Sequence, residues 1–215
     1  MRERFTELDY GLSLLSSMYH QDWRSDGDWS AILEIFLWEG QAPPAVLALY
    51  EDSVVLGSLS RPEIEDIWTA STADNFIFGR DAGSGDEWLF SVGERCRMWL
   101  VGRGVLEPSA RIAFHEIALA EDLGVQIASL MEQCDVDDRT ARALAALRRC
   151  AEMLSPNLPF RLLLRVIDSM RIEISLQLYQ ELVLLGRRLN CGEFVVSSLE
   201  YLANSSDGLS SELEG

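Results

Sequence analysis

Apolar residues recur at three- and four-residue spacing through most of this chain, and that period limits the fold more than any other feature. Phe160, Leu163, Leu164, Ile167 and Met170 form one such stripe, and Leu178, Leu182, Leu185 and Leu189 continue it. Residues three and four apart share one helix face, so each stripe predicts an amphipathic helix. Breakers divide the helices. Asp28 or Ser30 is placed to cap a helix running to Glu39, and Gly40 to stop it. Pro43 and Pro44 fit a first turn, where the missing N–H costs nothing. Ser60-Arg61-Pro62-Glu63 has the spacing of a capping box.

Further helices are expected over residues 5–19, from an Asp86 cap through Trp99, over 110–123 and over 125–133. Another is expected from a cap at Asp135 or Asp137 through Leu154. Its inner seam holds Leu144, Leu147, Ala151 and Leu154, and its opposite side carries Arg139, Arg142 and Arg149. Pro156 and Pro159 interrupt the chain, Gly192 is placed as a stop, and Val195, Leu199 and Leu202 mark a last short helix. Residues 74–85, rich in Gly, Asp and Asn, predict a break, with Phe76-Ile77-Phe78 as an extended piece or a hydrophobic plug and Gly79–Gly85 as a flexible loop. The fold class expected is all-α, a multi-helix bundle, with two stacked helical subdomains as the finer expectation. Glycines at 102 and 104 and Pro108 place the boundary between residues 1–104 and 105–203, and a Ser-, Gly- and Glu-rich tail fills 204–215.

At 215 residues the chain is long enough to bury roughly two-thirds of its unfolded surface. It carries 35 acidic and 18 basic residues, a formal charge of −17, and every basic residue is Arg. Such a surface opposes nucleic acid and anionic membranes, and it favours a cationic protein partner. The absence of Lys excludes the phosphate-binding lysine of a P-loop and Schiff-base chemistry. His115-Glu116 lacks the second His of a zinc-protease motif, and His20 has no second ligand at metal spacing. Each His is expected at a surface or helix end. Adjacent pairs such as Glu51-Asp52 and Asp137-Asp138 diverge on a helix and make poor catalytic dyads. No catalytic residue, metal or other cofactor is expected. Cys96, Cys134, Cys150 and Cys191 form no C-x-x-C pair and predict reduced thiols in a cytoplasmic protein without a signal peptide.

All six tryptophans precede residue 105. Trp68, Trp88 and Trp99 are expected in the core. Trp23 and Trp29 flank an acidic loop holding Asp22, Asp26 and Asp28, where aromatic rings among carboxylates can anchor a partner's Arg or Lys.

The element Tyr19-His20-Gln21-Asp22-Trp23 closes the first expected helix, and Ser25-Asp26-Gly27-Asp28-Trp29 follows. An apolar helix from Ser30, the Pro43-Pro44 helix, Gly85-Asp86-Glu87-Trp88-Leu89 and Met98-Trp99-Leu100 complete the order. Over about residues 8–100 this resembles one family of contact-dependent growth inhibition immunity proteins, which open on a Tyr-x-x-Asp-Trp element. The resemblance implies a non-enzymatic binder that neutralises a cognate bacterial toxin domain, expected to be a basic nuclease. Tyr19, Asp22 and Trp23, as motif residues, are expected to be structural. The toxin-binding residues expected are Asp22, Trp23, Asp26, Asp28, Trp29, Glu63, Glu65 and Asp66. Residues 105–215 match nothing in that pattern. The alternative is a cytosolic helical scaffold or adaptor that self-associates as a dimer, and a hydrolase with an unrecognised site ranks behind it.

Overall fold

A computed structural model describes residues 7–106, 119–134, 136–153 and 155–204. Among them the chain is helical almost throughout, as the apolar period requires. In chain order the helices are α1 (Gly11–Ser17), α2 (Trp29–Phe36), α3 (Pro43–Leu56), α4 (Arg61–Ser71), α5 (Gly85–Gly102), α6 (Ala120–Gln133), α7 (Asp138–Met153), α8 (Asn157–Ser169), α9 (Leu176–Arg188) and α10 (Glu193–Ser197). Two dipeptides, β1 (Ile174–Ser175) and β2 (Ala203–Asn204), pair in parallel beside α9.

The local chemistry of most starts follows the sequence. Asp28 caps α2 by accepting from the amides of Ser30 and Ala31 at 2.9 and 3.0 Å. Pro43 and Pro44 occupy the first turn of α3, and Ser60 with Glu63 closes a capping box on α4. Asp137 accepts from Thr140 N at 2.8 Å ahead of α7. Pro156 is the N-cap of α8, with Pro159 in its first turn.

Some boundaries differ from expectation, each for a tertiary or local reason. The first helix starts at Gly11, since Tyr10 is extended and its carbonyl is taken by a buried arginine. The second ends at Phe36, three residues short of Glu39, where the Trp99 indole donates to Leu37 O at 2.9 Å. The cap of α5 is Ser84, reciprocated by Glu87, and Asp86 lies inside the first turn. The stop of α9 is Asn190 at φ 55°, with Cys191 N–H returning to Gly186 O and Asn190 N–H to Arg187 O. This is a Schellman closure. Gly192 instead caps the start of α10. The helix expected at 110–123 falls partly outside the described residues, as do Asp135, Leu154 and most of the tail.

The helices share one apolar cluster that runs from Leu12 to Leu202 across both halves of the chain. α3 packs on α5, while α4 of the first half packs on α7 and α8 of the second. The expected boundary near residue 104 therefore falls between helices without dividing this core. α6 packs on α7, and α9 packs on α6 and α10.

Within this core lies a charged group. Arg161 is 1% exposed, and each of its nitrogens is used. Nη2 reaches both oxygens of Asp52 at 2.7 and 2.9 Å, and Nη1 donates to Tyr10 O at 2.5 Å and Ser13 Oγ at 2.7 Å. Nε donates to Asn157 Oδ1 at 3.0 Å, and the guanidinium lies 4.0 Å from the Tyr10 ring centroid. Asp52 also accepts from Leu12 N at 2.9 Å. Burial pushes the Asp52 carboxyl up, yet these contacts are those of its ionised form. Burial likewise opposes the charge on Arg161, and Asp52 outweighs it. Gly11, at φ 63°, sits where a Cβ would overlap the Asp52 carboxylate, so conformation and close approach both require glycine there.

Asp52→Ala is expected to lower the unfolding free energy by about 3–5 kcal/mol, because it leaves Arg161 buried without its counter-charge. Urea denaturation measures this, and a joint replacement of Asp52 and Arg161 by apolar residues should be milder than the single change. An equal or larger loss in the double variant would contradict the reading.

Candidate functional site

The Tyr-x-x-Asp-Trp element lies where α1 gives way to a 3-10 turn, Trp23–Ser25. Its aromatics point inward. Tyr19 and Trp23 are buried, with ring centroids 5.0 Å apart in an edge-on arrangement. Phe76 lies 5.0 Å from Tyr19, stacks on Trp23 at 5.8 Å and extends the cluster to Trp68, Trp88 and Phe78. The Phe76-Ile77-Phe78 stretch is thus a plug at Phe76, with Ile77 exposed. Trp23 Nε1 donates to Asn75 O at 2.9 Å, while the buried indole nitrogens of Trp68 and Trp88 have no hydrogen-bond partner among the described residues.

The acidic side chains of the element face outward. Asp22 is exposed, with the Gln21 amide at 3.4 Å, and Asp26 is exposed with no ion pair among the described residues. Asp28 is held below the usual carboxylate range by the Ser30 hydroxyl and the Ala31 amide. Arg24, between these acids, is turned away from them. Its Nε and Nη2 meet Asp81 at 2.8 and 2.7 Å, and it also donates to Asn75 O.

Asp81 was not among the expected site residues, yet it organises the neighbouring loop. It accepts from Arg24, from Arg80 at 3.0 Å and from Ile77 N at 2.7 Å. Burial opposes its ionisation, and these hydrogen bonds together hold its carboxyl far below the ordinary range. The loop expected to be flexible is therefore tied, with Gly79 N–H donating to Ala82 O at 2.8 Å. A buried carboxylate bridging two segments has no signature in local sequence.

The remaining expected binding residues are occupied within the chain. Trp23 is 1% exposed and cannot meet a partner. Trp29 is half-buried, its ring covered by Arg95 at 5.3 Å and its carbonyl accepting from Tyr19 OH at 3.3 Å. Glu63, Glu65 and Asp66 on α4 also serve internal contacts. Glu63 meets Arg149 at 2.7 Å and is held below its ordinary range first by Ser60. Glu65 takes Arg61 at 2.8 Å and Gly85 N–H at 2.9 Å, and Asp66 takes Arg142 at 2.8 and 3.1 Å. With Asp74–Arg139, these pairs tie the arginine face of α7 to the first half. That face lies opposite the buried seam of Leu144, Leu147 and Ala151, as expected, and its exposed arginines reach across to α4 and Asp74. The site expected from the sequence thus separates into an outward acidic loop at 22–28 and an α4 edge engaged by α7 and α5.

His20 is exposed, and its Nδ1 accepts from Asp22 N at 3.3 Å. His115 lies outside the described residues. Among the described residues no three His, Cys, Asp or Glu side chains converge as a metal site, and no helix is long and apolar enough to cross a membrane. Burial pushes the thiols of Cys96 and Cys150 up to about 12. The chain matches no family model, no curated protein and no solved structure.

Trp23→Ala should cost about 3–5 kcal/mol, as for other buried large-to-small changes, whereas Asp22→Asn and Asp26→Asn should stay within about 0.5 kcal/mol. Thermal and urea melts of the three variants measure the contrast. For Asp81 the folded pKa is depressed, so its stabilisation is present above the unfolded value of about 3.9 and lost as pH falls toward the folded one. The stability gap between wild type and Asp81→Asn should be full at neutral pH and shrink below about pH 4. A pH-independent gap would assign the effect of Asp81 to packing alone.

Proposed function

We propose that this chain is an immunity protein that binds a cognate contact-dependent bacterial toxin domain and occludes its active site with an acidic surface. The observation that carries the reading is the 22–28 loop. Its aromatics are anchored in the core, and Asp22 and Asp26 are exposed without ion pairs among the described residues. A loop fixed from beneath loses little entropy when it engages a partner. Its carboxylates suit a cationic groove of the kind a nuclease needs to hold phosphates. The charge of −17 supports steering of such a partner.

Within this reading the inhibitory surface is narrower than the sequence implied. Glu63, Glu65 and Asp66 brace the fold, so the loop carboxylates make the contact with the toxin. The partner is a basic toxin C-terminal domain, with a nuclease as the class that best fits an acidic inhibitor, and the setting is the cytoplasm of the producing cell.

The test is co-expression of the toxin domain encoded immediately upstream, in a sensitive cell, with and without this protein. Growth rescue and co-purification are expected, and the association rate should fall steeply with salt. Asp22→Arg with Asp26→Arg should slow association about tenfold at low salt and leave the fold intact. No rescue and no complex, with both proteins folded, would move the self-associating scaffold to the front.

A further inference from the structure

We propose that Trp38, flanked by Glu34 and Glu39, is a docking point for an arginine side chain of a cationic protein. The inference deepens the proposed function by naming a contact for a basic partner, and it rests on that reading only for who the partner is.

Five of the six tryptophans are accounted for by this chain. Trp23, Trp68 and Trp88 are buried. Trp29 and Trp99 are half-buried, and each is covered by one of the chain's own arginines, Arg95 at 5.3 Å and Arg103 at 3.6 Å. Trp38 is 59% exposed, and no cation among the described residues covers it. It lies just past the end of α2, between two residues that the arginine-capped Trp99 site contacts. The link is direct: Trp99 Nε1 donates to Leu37 O, and Arg103 donates to Glu39 O at 3.2 Å.

The exposed ring is held in place. Gln41 N–H donates to Trp38 O at 3.0 Å, and the Gln41 side chain donates to Phe36 O at 3.1 Å, closing a turn. The six-membered ring of Trp38 occupies the space a Cβ on Gly40 would fill, so the turn backs it with bare peptide. A large aromatic surface fixed by its own backbone is a ready anchor, since little rotamer entropy remains to be lost.

The flanking groups set the chemistry of the occupant. Glu34 is 73% exposed and touches Arg95 only at 3.5 Å, while Glu39 is exposed and has no ion pair among the described residues. Ile35, next to Glu34 in the chain, adds exposed apolar surface. An exposed aromatic face with exposed carboxylates four residues before it and one after it in the chain suits a cation that can stack and pair at once, which a planar guanidinium does better than an ammonium. Phosphate-rich occupants are opposed by the same carboxylates, and a second copy brings the same charge of −17.

The test uses the intact protein, labelled with nitrogen-15, and a short arginine–glycine repeat peptide as probe. The same peptide with citrulline in place of arginine removes the charge and keeps the shape. Saturable movement of the Trp38 indole N–H signal, assigned through Trp38→Phe, is expected with the arginine peptide and not with its citrulline form. Trp38→Ala, or Glu34→Gln with Glu39→Gln, should weaken binding about tenfold. Gly40→Ala should weaken it too by displacing the ring. The exposure of these side chains predicts unchanged circular dichroism and melting for the Trp38 and glutamate variants. Equal binding by the citrulline peptide would overturn the proposal, as would shifts confined to the 22–28 loop that Trp38→Ala leaves unaltered. Concentration-dependent self-association through Trp38 without a peptide response would assign the patch to a second copy and overturn it as well. The titration contains no toxin, so failure here leaves the rescue result standing, and failure of rescue leaves the titration readable.

Discussion

The guanidinium of Arg161 is the constraint around which this fold is arranged. A buried charge of this kind is stable only when its counter-charge and its remaining donors are satisfied together. Here the satisfaction draws on four places in the chain: Asp52 in α3, the carbonyl of Tyr10, the hydroxyl of Ser13 and the amide of Asn157. The N-terminal segment, the middle of the first half and the central helix of the second half are thus fixed by one side chain. The consequences reach the backbone. Tyr10 is extended because its carbonyl is needed, and Gly11 takes a left-handed turn because Asp52 lies where a side chain would go. α1 can then present Leu12 and Leu15 to the core and deliver Tyr19 to the aromatic cluster.

That cluster decides which parts of the acidic element face solvent. Tyr19 and Trp23 close on Phe76, Trp68 and Trp88, and the intervening polar residues are left outside. Arg24 and Asp81 then tie the loop to its neighbour. The charges of the chain fall into two populations as a result. Glu63, Asp66, Asp74 and Asp81 meet arginines across tertiary contacts, whereas Asp22 and Asp26 remain on the outer face. The more exposed pairs, Glu63–Arg149 and Asp66–Arg142, contribute about 0–1 kcal/mol each, so their main consequence is register between α4 and α7. A net charge says nothing about this division. The binding residues expected from the resemblance and the charge therefore include some that are already engaged within the fold.

Much of the fold could be read from local pattern. The stripe from Phe160 to Ile167, the Pro43-Pro44 start and the Ser60–Glu63 capping box depend on groups within a turn or two of each other, and the structure places them as that chemistry predicts. The less successful readings concern ends and partners. Propensity places two helix stops on glycine, at Gly40 and Gly192. One helix ended sooner, at the point where the indole of Trp99 reaches the Leu37 carbonyl, and the other ended on Asn190, which tolerates the left-handed conformation. Nothing beside Asp81 or Arg161 in the chain signals their roles. Each acts through residues far away in sequence, at separations of 57 residues for Arg24–Asp81 and 109 for Asp52–Arg161.

By itself, the sequence determined that this chain is helical, which faces of its helices are apolar, how most helices begin, and that its surface is acidic with arginine as the only cation. These follow from periodicity, capping and composition, which are local or additive properties. Only the tertiary structure decided which carboxylates are neutralised within the fold, which tryptophans are buried, covered or left open, and that both halves build on one core. Those outcomes depend on which distant groups meet, and a hydrogen bond or ion pair between remote helices is not encoded in the spacing of either partner.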